Sequence, residues 1–147
     1  MFEVSWDDTE IRRALRKLQG AGVGLSGPLQ VIGLKLVEST KQRFATGVAP
    51  DGAPWQANTA ATLARKSGSK PLVNHGDLER QISYAVSGDV LEVFSTQEQA
   101  AMMQFGGSKA EFPHLWGDIP ARPFLGVSAA DEVMILATMA RYLKNAL

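Results

Sequence analysis

Three features of the sequence predict an α+β fold, in which a small antiparallel β-sheet packs against two long helices with long irregular loops between them. Residues 26 to 45 and 128 to 147 carry apolar side chains at helical spacing, each behind a serine suited to capping. Between them, "SYAVSGDVLEVFS" holds two alternating runs about Ser87-Gly88-Asp89, the pattern of a β-hairpin. The length of 147 residues suits one domain over the whole chain, 1–147, with loop-rich excursions at 46–76 and 106–127.

The chain opens on "FEVSW", where Phe2, Val4 and Trp6 alternate with polar residues as in a half-buried strand or a terminal arm. Asp8 and Thr9 are placed to cap a first helix whose stripe is Ile11, Leu15 and Leu18. Its other faces carry Arg12, Arg13, Arg16 and Lys17, the composition of a solvated basic face. "GAGVGLSG" breaks that helix, and Ser26 and Pro28 then read as the N-cap and first turn of the second. Leu29, Ile32, Leu36, Val37 and Phe44 line its buried side, with Gly33 and Thr40 on the same stripe. A mid-helix glycine costs about 1 kcal/mol against alanine, so Gly33 is expected to admit the close approach of another backbone.

Residues 46 to 76 hold three prolines and four glycines and little that is large and apolar. Pro50-Asp51-Gly52 is a turn, because proline presets φ and glycine accepts a positive one. Trp55 follows as the anchor of the excursion, Asn58 or Thr59 is placed to cap a short helix through Arg65, and "KSGSK" reads as a flexible tip. Asp77 to Ile82 is a short helix or turn, and Thr96 to Phe105 is predicted helical, stopped by Gly106-Gly107. Ser128 caps the final helix, with Asp131 and Glu132 where the macrodipole favours anions and Arg141 and Lys144 where it favours cations. Val133, Leu136, Ala140, Leu143 and Leu147 form one stripe there, widened by Met134, Ile135, Met139 and Tyr142. So broad an apolar surface predicts burial on two sides, the second against another subunit.

Composition narrows the function classes. Fifteen basic and fifteen acidic residues cancel, so no global field exists to hold a polyanion. With no cysteine, disulfides, thiolate nucleophiles and thiolate metal sites are excluded together. "MFEVSWDDTE" has no basic flank leading into an apolar run, and no apolar stretch approaches the ~20 residues of a membrane span, so a soluble protein is expected.

Catalytic constellations are missing. The two histidines, His75 and His114, lie in separate loops and no HExxH spacing occurs. There is no GxSxG elbow and no phosphate-binding loop, and the glycines from 20 to 27 follow a helix rather than a strand. No catalytic, cofactor-binding or metal residue is therefore named. What remains is a set of large side chains on stiff loops: Trp55, Phe105, Phe112, Trp116, Arg122 and Phe124. Aromatics and arginine dominate binding energy at protein interfaces, so Trp55, Phe105, Trp116, Arg122 and Phe124, with Met134, Met139 and Tyr142 of the last helix, are the candidate interface residues. Phe124 and Leu125 are also placed to pack inward before the last helix. In "IPARPFLGVS" two prolines hold Ala121-Arg122-Pro123 extended, which predicts an Arg122 side chain projecting from a rigid backbone.

Four segments in order, "RFATGVAPDGAPW", "LVNHGDLERQISY", "MQFGG" and "IPARPFLGVSAAD", resemble the phage virion morphogenesis, or tail completion, proteins of Mu-like and related tailed phages. The resemblance runs through most of the chain. It departs at Ala101-Met102-Met103, where the family often has an aromatic and a histidine, and at Ala57-Asn58, where a leucine often follows the tryptophan. It implies a structural protein without catalysis or cofactor, made in the host bacterial cytoplasm and built into the virion at the tail or neck. The partners implied are copies of itself in a ring, a hexamer being one candidate, together with tail tube or tail terminator proteins and head–tail connector proteins. No membrane is involved, and DNA at most transiently. A ring closes only if each subunit offers two complementary surfaces, and a stiff loop loses little entropy on docking. The loops at 46–70 and 106–118 are expected to order on assembly. The alternatives are a small host- or DNA-modifying hydrolase, which needs His75 and His114, and a nucleic-acid-binding accessory protein, which needs the basic face at 12–17.

Overall fold

The structure, a computed structural model, describes residues 4–57, 80–97, 100–113 and 119–146. In chain order the elements are α1 (Thr9–Gly20), α2 (Ser26–Thr46), β1 (Ile82–Ser87), β2 (Val90–Ser95), α3 (Ala100–Phe105) and α4 (Ala129–Ala146). This is an α+β arrangement with a two-stranded antiparallel sheet. The helix predicted after Asn58 or Thr59, the "KSGSK" tip, the turn at Asp77, both histidines and Trp116 lie outside the described residues.

The central element is α2. Its stripe of Leu29, Ile32, Leu36, Val37 and Phe44 is buried as its spacing requires, with Gly33 and Thr40 buried in phase. Both strands lie on this helix, while α4 packs across α1 and α2 rather than over the sheet. Two apolar clusters result. One joins Phe44, Trp55, Ile82, Phe124 and Leu125, and the other joins Ile11, Leu18, Ile32, Leu36, Ile135 and Met139.

The hairpin register runs from Ile82↔Ser95 to Ser87↔Val90, leaving Gly88-Asp89 as a two-residue turn. Alternation then places Tyr84 opposite Val93 and Val86 opposite Leu91, all partly buried, with Ser83, Ala85 and Glu92 exposed. Gly33 is where the sheet meets α2. A Cβ there would sit 2.5 Å from Tyr84 Cδ2 and 2.9 Å from Leu91 Cδ1. The close approach expected at this glycine is real, but side chains of the hairpin make it, not another backbone.

Several local expectations shift. Asp8 occupies the N-cap position of α1 without a side-chain capping bond, because its carboxylate is drawn to Arg12 Nε at 2.8 Å. Asp7 does that work one residue earlier, accepting from the Thr9 hydroxyl at 2.7 Å and the Thr9 N–H at 3.2 Å. Ser26 is the first residue of α2 rather than its cap, a position held by Leu25. The helix expected from Thr96 is described only from Ala100. Val4 to Asp8 form no strand.

The last helix is rotated from the expected stripe. Its buried residues are Asp131, Ile135, Thr138 and Met139, whereas Val133 is 68% exposed. The stripe through Val133 and Ala140 therefore faces outward, because a buried ion pair at Asp131 fixes which side turns in.

Candidate functional site

The proline-bracketed segment 119–128 is a junction between α2, α3, the start of α4 and residues 55–57. It enters beside α3, where Gly107 and Ile119 exchange backbone hydrogen bonds at 2.9 and 2.7 Å. Gly106, with φ 72°, makes the crossing possible, since a Cβ there would lie 2.6 Å from the Ala121 nitrogen. Arg122 N–H then donates to the Met103 carbonyl at 2.8 Å.

The Arg122 side chain does not project outward. It is 8% exposed; Nε donates to the Gln56 carbonyl at 2.8 Å and Nη2 to the Ala57 carbonyl at 3.3 Å. Proline fixes the backbone as the sequence implies, but the extended segment lies against residues 55–57, so the guanidinium finds acceptors within its own chain. Burial lowers its pKa from the ordinary arginine value. From the other side, Trp55 Nε1 donates to the Pro123 carbonyl at 2.7 Å, and the Trp55 ring meets Phe44 edge-on at 5.7 Å between centroids. Phe124, fully buried, packs on Phe44 at 5.6 Å.

Two polar side chains complete the junction. Gln104 of α3 accepts from Phe124 N–H and Leu125 N–H, each at 3.0 Å, and donates to the Leu125 carbonyl at 2.9 Å. Arg43 of α2 donates through Nη1 to the Phe124 carbonyl and through Nη2 to Asp131, both at 2.6 Å. Desolvation lowers the Arg43 pKa, against the opposing pull of the Asp131 carboxylate. Asp131 also accepts from Ser39 Oγ at 2.6 Å and from Ser128 N–H at 3.0 Å, while Ser128 Oγ accepts from Asp131 N–H at 3.0 Å. The predicted cap is thus one half of a reciprocal capping box whose acid also holds a buried cation. Among the described residues, no buried side-chain nitrogen or oxygen lacks a partner. Such a network fixes one arrangement of α2, α3, α4 and the 50s turn.

The candidate interface residues divide. Trp55, Arg122 and Phe124 face inward at this junction, while Met139 is buried in the second cluster with Ile11, Leu18 and Ile135. Met134 and Tyr142 are half-buried, with the Tyr142 ring against Gly27. Phe105 stands at the surface, 56% exposed, as do Leu34, Val90 and Val133, which were not among the candidates. Neither Arg43 nor Gln104 was singled out from the sequence. Arg43 had a visible signal, since it continues the apolar stripe at i+3 from Thr40, and a charge in phase with a buried face needs a buried partner.

Among the described residues, no group of three or more His, Asp or Glu side chains could hold a metal ion. No described helix is long and apolar enough to cross a membrane. The basic face of α1 is partly neutralised, Arg12 by Asp8 and Arg13 by Glu10, each at 2.8 Å.

Comparison with known proteins gives a consistent answer. The model of the phage virion morphogenesis family matches residues 6–144, which include every described element but the last two residues of α4. Protein G of Escherichia phage Mu, named as a candidate for capsid assembly, is 32% identical over 124 residues, covering 80% of this chain and 79% of its own. No solved structure matches.

Proposed function

We propose, from the premise that this chain belongs to the phage virion morphogenesis family and so works in phage particle assembly, that it completes the tail and helps join it to the head as a subunit of a ring. The observation that supports this reading is the family match over residues 6–144, almost the whole chain. Two further features support it. The polar junction holds the loops in one geometry, and a ring requires subunits that repeat their contacts accurately. Phe105, Leu34, Val90 and Val133 place apolar surface outside that rigid body, where neighbours can cover it.

In this reading the protein is structural, with no substrate and no cofactor. Its partners are copies of itself, tail tube or terminator proteins on one side and head–tail connector proteins on the other. Its place is the tail or neck of the virion, reached after synthesis in the host cytoplasm. Contact with DNA is transient and limited to the α1 face near Arg16 and Lys17.

A second reading, a part in building the capsid itself, is favoured by the name of the phage Mu relative. Electron microscopy of particles made without the gene separates the two. Tail completion predicts full heads beside unjoined tails. Malformed or missing heads would favour the capsid reading, and normal joined virions would reject both.

A further inference from the structure

A cleft of about 1210 Å³ runs along the whole of β2, from Asp89 to Gln97, and no residue of β1 borders it. Its floor is α2 through Leu29, Ile32 and Leu36, and its far wall is Ile11 and Leu15 of α1 with Ile135 and Met139 of α4. The sheet has two strands, and β2 pairs only with β1 among the described residues. The edge of β2 facing the cleft therefore keeps backbone donors and acceptors without a ladder partner, above an apolar floor. That is an acceptor for one more strand.

The chain also carries a strand-patterned segment that forms no strand. In "FEVSW" apolar residues alternate from Phe2 to Trp6, yet the described Val4 to Asp7 make no backbone hydrogen bond to the body. Val4 and Trp6 border the cleft, and Trp6 remains 38% exposed. The turn tied by Asp7 to Thr9 fixes where the arm leaves α1, so in its own chain the arm borders the cleft without hydrogen-bonding to β2.

We infer that the cleft accepts the N-terminal arm of a second copy of this chain, paired along the edge of β2 with Val4 and Trp6 turned onto α2. The exchange provides the ladder that the arm's own chain does not. Val4 already packs on the first apolar cluster of its own chain and Trp6 is 38% exposed, so the exchange gains chiefly the ladder along β2 together with the part of Trp6 still in water. Open exchange from copy to copy is also a route to a ring, although the inference concerns the purified chain alone and stands apart from where in the particle it works.

The absence of cysteine permits a direct test. Ser5 and Glu92 are both exposed, and alternation puts them together on the outer face of the extended sheet. Protein carrying only Ser5→Cys is mixed with protein carrying only Glu92→Cys and treated with a short bis-maleimide. The expected product is a covalent heterodimer, suppressed by excess wild-type chain. In parallel, a chain lacking residues 1–6, checked for its fold by circular dichroism, is titrated with a peptide of residues 1–8, and saturable binding is expected. Linkage confined within one chain when both cysteines are in the same molecule would show that the arm closes its own cleft, and would overturn the inference. Absence of both linkage and peptide binding would assign the cleft to another partner and overturn it equally.

Discussion

Arg122 and Gln104 show how much one side chain holds at the junction. Removing the Arg122 guanidinium takes the donor from the carbonyls of Gln56 and Ala57, which are exposed residues that water can reach, and a hydrogen bond contributes a net ~0.5–1.5 kcal/mol. Arg122→Ala is therefore expected to lower the unfolding free energy by that much, read from a urea midpoint at unchanged m, and to loosen Trp55, read as a change in tryptophan emission. Unchanged stability would mean that the arginine works outside its own chain, as its proline-flanked setting first implied. At Asp131 the expected loss is larger. Asp131→Ala strands the Arg43 charge in the core, and breaking a buried pair costs about 3–5 kcal/mol, so the variant should unfold well below the wild-type temperature. Changing Arg43 and Asp131 together to apolar residues should be less harmful than that single change, a comparison a double-mutant cycle makes directly. These two arginines also mark the limit of reading a sequence by residue. Proline chemistry foretold the stiff backbone at 119–125, but the direction of Arg122 depended on residues 55–57, more than sixty positions away. No local pattern carries that information.

Among the elements, the helix α2 and the hairpin were legible because each declares itself by period. The α2 stripe and the β1–β2 alternation need no distant partner to be recognised. The facing of α4 was not legible, since its apolar residues cover most of the circumference and the Arg43–Asp131 pair, not hydrophobicity, decides which side is buried. The arm at Val4–Trp6 misled in the other direction, because alternation announces a strand only where an edge is available to pair. Gly33 supplies the test at this scale. Alanine there gains about 1 kcal/mol of helix propensity, but its Cβ would fall 2.5 Å from the Tyr84 ring. Overpacking costs typically ~1–3 kcal/mol, so the steric term wins and Gly33→Ala should destabilise, with hydrogen exchange rising first in the hairpin amides. Stabilisation by this change would mean that the sheet rides loosely on α2.

Taken as a whole molecule, the chain has a rigid centre and an apolar exterior at a few sites. Its neutral balance gives no long-range field, so association should depend on shape and apolar contact more than on salt. Val133 is 68% exposed on the outer face of α4, and Val133→Asp is expected to change monomer stability by no more than about 0.5 kcal/mol. If that face meets a neighbour, the same variant should fail to assemble, because a buried unpaired carboxylate is costly. Equal assembly by wild type and variant would place the neighbour elsewhere.

The most direct measurement is joining in vitro. Heads and tails produced without this protein are purified, mixed, and titrated with the purified wild-type chain, and infectious particles are counted. The account predicts that titre rises steeply with added protein, that micrographs show joined particles, and that the chain is recovered in the virion at the neck or tail. Heads and tails that join equally well without it, or restored titre with the chain absent from the finished particle, would contradict the account.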